Sequence, residues 1–141
     1  MTPAASFSTI GHATPPRSRA AIYWIATLVS AAAFVVPGVL NLVRAPHIVR
    51  DMAHLGYPPY FPTILGTWKV LGALAIVLPG RPRLKEWAYA GMVFDLTGAA
   101  ISRTVMGDDA LMVVVPLVIA VAVGLSWALR PPGRRLAPVQ A

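Results

Sequence analysis

Residues 62–78 read PTILGTWKVLGALAIVL and residues 86–102 read EWAYAGMVFDLTGAAIS, and a short basic turn joins them. Each stretch is apolar apart from threonines, its ends and one charge near its middle: Lys69 in the first, Asp95 in the second. In a soluble domain such a charge would mark the solvent face. These segments are long enough to cross a bilayer, so the charges need another explanation. Lys69 lies seven residues from the start of its segment and nine from the end, and Asp95 lies nine from the start and seven from the end. At a rise of about 1.5 Å per helical residue, both fall within a few ångströms of the bilayer midplane. Opposite charges at equal depth on consecutive antiparallel helices read as a pair.

Composition agrees with a membrane reading. Of 141 residues, 57% are hydrophobic and only 12% charged, and mean hydropathy is +0.66. Soluble domains carry about 25% charged residues. The net charge of +7 does not point to nucleic acid, because the basic residues sit at segment ends rather than along one face. The chain has no cysteine. It therefore cannot carry out dithiol chemistry, ligate a cluster through thiolates, or form a disulfide.

Working outward, residues 1–19 are rich in Pro, Ser, Thr and Ala and read as a disordered tail ending in Arg17-Ser18-Arg19. Ala20 to Val43 is an uncharged apolar segment long enough to span with some tilt. Ala31-Ala32-Ala33 resembles a signal-peptidase site, but apolar sequence continues for ten residues beyond it, so the segment reads as a retained span. Pro37-Gly38 predicts a kink, and Ser30, Phe34, Pro37 and Asn41 share one face, which turns Asn41 toward the interior.

Arg44 to Tyr60 reads as a short amphipathic helix, with Ile48, Met52 and Leu55 at helical spacing, ended by Gly56. It is expected in the interface or folded over the bundle mouth. Pro62 opens the second span at a position where a missing N–H costs little. Arg81, Arg83 and Lys85 form the basic turn, and the third span runs from Glu86 to about Val105. The fourth is Ala110 to Leu129, and residues 131–141 read as a basic disordered tail.

The predicted fold is all-α: a four-transmembrane-helix antiparallel bundle over residues 20–130, with a short amphipathic helix between spans 1 and 2. Eight basic residues (Arg17, Arg19, Arg81, Arg83, Lys85, Arg130, Arg134, Arg135) flank one side and three (Arg44, Arg50, Arg103) the other. The positive-inside rule then places both termini in the cytoplasm. Tyr23, Trp24, Trp87, Tyr89 and Trp127 are expected near the cytoplasmic boundary, and Tyr57, Tyr60 and Phe61 near the other.

Several stretches resemble the DoxX-like family of small four-helix membrane proteins: residues 54–61 (HLGYPPYF), 66–72 (GTWKVLG), and 84–91 (LKEWAYAG) leading into 94–99 (FDLTGA). The resemblance covers Ala20 to Arg130. It implies a multi-pass protein of the bacterial inner membrane and a link to membrane redox metabolism, because named relatives are subunits of a thiosulfate:quinone oxidoreductase. Other members of the wider fold group assist assembly of partner proteins.

Three groups of residues are candidates for chemistry. Lys69 and Asp95, with Asn41, form an intramembrane ion pair flanked by small residues: Gly66, Gly72 and Ala73 on one face, Gly91, Gly98 and Ser102 on the other. Small residues permit close helix approach. The pair reads either as an anchor or proton relay for a lipophilic molecule such as a quinone, or as a structural pair that fixes register. The second group, Arg44, Arg50, Arg103 and His54 with His47, Asp51, Tyr57, Asp108 and Asp109, reads as a small-oxyanion site or as side chains meeting lipid phosphates. Third, His47 and His54 are seven apart, but no further residues are spaced to complete a metal or haem site.

Two functions follow. One is a membrane subunit, non-catalytic or co-catalytic, that binds a quinone-like molecule in a redox-linked complex. The other is an assembly or scaffold protein for a partner. A small-solute transporter of this length would have to be a homo-oligomer. A pocket beside the pair favours binding, and a fully packed pair favours scaffolding.

Overall fold

The computed structural model describes residues 17–135. The tail expected at 1–19 falls outside the described residues as far as residue 16, and the tail expected at 131–141 falls outside them from residue 136 onward. Five α-helices follow in order: α1 Arg17–Leu42, α2 Pro46–His54, α3 Phe61–Val77, α4 Pro82–Met106 and α5 Ala110–Ala128. A 3₁₀ turn, Pro132–Arg134, ends the described chain, and there is no strand among the described residues.

Prolines open three of the helices within their first two positions: Pro46 in α2, Pro62 in α3 and Pro82 in α4. There the fixed φ suits the helix, and the missing N–H would have had no intrahelical partner. Gly107 closes α4 at φ 73°, so that its own N–H and that of Asp108 reach back to Thr104 and Arg103 carbonyls. Pro82 is also why α4 starts four residues before the expected Glu86, drawing Arg83 and Lys85 out of the turn and into the helix. α1 likewise starts at Arg17 rather than Ala20. It runs unbroken through Ala31-Ala32-Ala33 and through Pro37.

The four long helices form a ring: α1 packs on α3 and α5, and α4 on α5 and α3. The tightest crossing is between α1 and α3, at Gly38 and Gly66. A Cβ on Gly66 would lie 2.7 Å from the Gly38 carbonyl oxygen and 2.9 Å from Asn41 Cβ. A Cβ on Gly38 would meet Lys69 Cβ at 3.1 Å. The sequence pattern assigned Gly66 to a close approach between Lys69 and Asp95, but the backbone it meets belongs to α1. Among the described residues, nothing lies within 4 Å of a Cβ placed on Gly91 or Gly98. These two glycines of α4 therefore leave space rather than contact.

The core between the helices is Ala31, Phe34, Ala73, Ile76, Tyr89, Met92, Leu96 and Val123. Outside it, large apolar side chains face outward along every long helix, among them Ile25, Trp68, Trp87, Phe94, Leu111 and Val118. A surface of this kind is unfavourable in water. α1 and α5 are long and apolar enough to cross a membrane, and α3 is a shorter apolar helix.

Candidate functional site

Lys69 and Asp95 face each other from the middles of α3 and α4, with Nζ 3.3 Å from Oδ2. Both side chains are mostly buried, at 17% and 16% exposed. The contact is long for a charge-assisted bond, and Asp95 Oδ2, although buried, has no hydrogen-bond partner among the described residues. Lys69 also lies over the Phe34 ring, 5.7 Å from its centroid. Asn41, 2% exposed, reaches the same region from α1. Its Nδ2 donates to the Pro37 carbonyl at 2.6 Å, while its Oδ1 is buried without a partner.

Two cavities meet at this pair. One, of about 380 Å³, is apolar and lies between α3 and α4, with Trp68, Gly72, Trp87, Gly91 and Met92 in its wall. The other, of about 350 Å³, opens under α2 and is more polar, with Asn41, Asp51, Tyr57, Ser102 and Arg103 in its wall. Lys69 and Asp95 line both. The empty space follows from Gly91 and Gly98, whose missing side chains would otherwise stand in open volume.

The α2 end is held by a small charge cluster. Arg103 donates to Asp51 of α2 at 2.5 Å and to Asp108 at 2.9 Å, and Asp108 also meets His54 Nε2 at 2.7 Å. The Arg103 bond, followed by the His54 bond, holds the Asp108 carboxyl below its usual pKa. Tyr57 OH and Ser102 Oγ are 2.7 Å apart, and the Tyr57 ring stacks on Phe61 at 4.3 Å. This geometry weakens the oxyanion expectation. The Arg103 guanidinium is already engaged by two carboxylates, and Arg44, His47 and Arg50 are exposed and line neither cavity.

A family model described as the DoxX-like family matches residues 25–126. The chain belongs to the DoxX-like family. The matched stretch contains Asn41, Lys69, Asp95 and the whole α2 cluster, and it ends before the basic Arg130–Arg135 segment. No curated protein and no solved structure matches this DoxX-like chain. Family and apolar helices together point to a small membrane protein.

Sequence reasoning missed what this DoxX-like protein does at its opposite end. Lys85, expected in the basic turn between two spans, is 1% exposed. Its Nζ donates to the carbonyls of Ala75 at 2.8 Å and Ile76 at 3.0 Å, and to that of Leu78. These are the orphan acceptors of the α3 C-terminus, where Pro79 supplies no N–H. The segment expected to begin the disordered tail instead docks here. Arg134 donates to Tyr23 OH and the Ile76 carbonyl and lies over the Trp24 ring, and Arg135 donates to the carbonyls of Ala128 and Arg130.

Tyr23 and Tyr89 are buried between the helices. Tyr89 OH and Thr27 Oγ1 each lie 2.7 Å from Ser126 Oγ. The available signal was Tyr23, Thr27 and Ser30 recurring on one face of an otherwise apolar helix.

Proposed function

We propose that this chain is a four-span membrane protein that binds a lipophilic molecule with a polar head, of the quinone class, at Lys69 and Asp95. α1, α3, α4 and α5 are the spans, and α2 is an amphipathic cover at one mouth. Both termini lie in the cytoplasm of a bacterial inner membrane, by the eight-to-three division of basic residues. Reporter fusions that are active only in the periplasm test this: the account expects silence after Arg135 and activity after Tyr57.

The observation that carries the binding reading is the meeting of two cavities at an incompletely satisfied ion pair. A pair present only to fix helix register would be packed and hydrogen-bonded, because a poorly matched buried pair does not recover its desolvation cost. Lys69 has ammonium donors to spare, and it stands at the inner end of a cavity about 380 Å³ in volume. That volume lies in the range of small-molecule pockets. A ring carbonyl or hydroxyl could accept from Lys69, and an apolar tail could lie along Trp68 and Trp87. In this role the chain serves as a membrane subunit of a redox-linked complex, and its partner protein supplies the electron acceptor or donor.

The test is extraction of the detergent-purified protein, with quinones and lipids assayed in the extract. Gly91→Leu adds bulk where a Cβ meets nothing, so it should fold and yet lose the bound molecule. Equal recovery from wild type and Gly91→Leu would contradict the reading and favour an assembly or scaffold role.

A further inference from the structure

The two cavities differ in what they are suited to hold. We infer that the cavity under α2 is a one-sided aqueous vestibule, through which the Lys69–Asp95 pair exchanges protons with the α2 face of the protein and not with the Lys85 face. The inference rests on the preceding reading only for its use: a pair that handles a polar head group needs a route for protons.

The vestibule wall carries Tyr57, Ser102, Arg103 and Asp51 near α2, and its floor carries Lys69, Asp95 and Asn41. Two buried oxygens at that floor, Asn41 Oδ1 and Asp95 Oδ2, have no hydrogen-bond partner among the described residues, although the second has the Lys69 ammonium 3.3 Å away. Buried polar atoms in native proteins are nearly always satisfied by protein or by ordered water. A roomy cavity that carries Asp51, Tyr57, Ser102 and Arg103 among its apolar wall residues, and ends at one unpartnered acceptor and one met only by an ammonium at 3.3 Å, is a setting in which water resides. The apolar cavity offers no such partners along Trp68, Leu71 and Met92.

Toward the other end the surroundings of the pair become apolar. Phe34, Ala73, Ile76, Met92 and Val123 are each no more than 3% exposed and form a dry layer between the pair and the Lys85 end. Beyond it, the hydroxyls of Thr27, Ser30, Ser126 and Tyr89 bond to each other or to carbonyls of their own helix. Past these, Lys85 and Arg134 occupy the C-terminal carbonyls of α3. The apolar cavity also runs from the pair as far as Ala75 and Leu84, but its wall gives water no polar partners on the way, so the wetted route is the one under α2.

The chain has no cysteine, so single cysteines can be placed without background. Gly98→Cys adds a Cβ in open space, and Ser102→Cys is nearly isosteric, so both should fold. In sealed vesicles of either orientation, a membrane-impermeant maleimide should label both from the α2 face and neither from the Lys85 face. Val123→Cys, in the dry layer, should label from neither, and exposed Asp109→Cys gives the full signal for the α2 face. Labelling of Gly98→Cys from the Lys85 face would overturn the inference. So would no labelling of Gly98→Cys and Ser102→Cys while Asp109→Cys reacts. If both vestibule cysteines label as expected while Gly91→Leu retains its lipophile, the vestibule stands and the lipophile reading falls. If Gly91→Leu loses the lipophile but neither vestibule cysteine labels, the vestibule alone falls.

Discussion

The chain contains two lysines, and the protein treats them in opposite ways. Lys85 is 1% exposed and donates to three carbonyls at the end of α3. Lys69 is 17% exposed and has one carboxylate at 3.3 Å, with cavities on both sides. The first is saturated by its own fold. The second retains donors that the fold does not use. A buried ammonium is costly, so a chain that needed both only for architecture would be expected to surround both with acceptors. The contrast separates a lysine that closes a helix from one held ready for something else.

Breaking the saturated side should have the largest effect. Lys85→Met removes the donor from the Ala75 and Ile76 carbonyls, and each buried carbonyl left without a partner costs roughly 1–3 kcal/mol. Arg134 still reaches Ile76, so part of the loss is covered. The expected result is a clear fall in detergent melting temperature, larger than that of any single change at Lys69 or Asp95.

The pair comes next. Stranding one member of a dry buried pair typically costs ~3–5 kcal/mol. Here the remaining charge would face a vestibule, so Lys69→Met and Asp95→Leu should each fall below that range. The double variant should recover much of the loss, because neither charge is then stranded. Additive losses in this cycle would show that the two residues act independently.

The smallest effect belongs to the latch at α2. The folded pKa of Asp108 lies below its unfolded value, so the stabilisation is present above pH ~3.9 and is lost as pH falls through the folded value. Acidification below pH 4 should loosen α2 with little change in the long helices, and Asp108→Asn should remove that acid sensitivity. Hydrogen exchange of α2 amides across this pH range would measure it. An unchanged acid response in Asp108→Asn would remove the latch from the account.

How much of this was legible in the sequence depends on the kind of signal. The long apolar runs gave the long helices, because burial and helix formation leave a composition that survives without tertiary knowledge. The equal depth of Lys69 and Asp95 could be counted along the two runs. Which neighbour a small residue meets could not: Gly66 has a face, but the sequence does not say that α1 rather than α4 lies against it. Lys85 was hidden for a related reason. A lysine three residues after Pro82 reads as turn until the C-terminus of α3 is placed beside it. The unpartnered oxygens of Asn41 and Asp95 are likewise a property of the assembled interior, invisible to spacing.

The central claim is that Lys69, unlike the basic residues at the Lys85 end, serves a ligand. A short-chain quinone titrated into detergent-purified protein, read as a shift in melting temperature, tests it most directly when wild type, Lys69→Met and Arg134→Gln are compared. The account predicts that wild type and Arg134→Gln gain stability with added quinone, while Lys69→Met does not respond. An equal response in all three would contradict it.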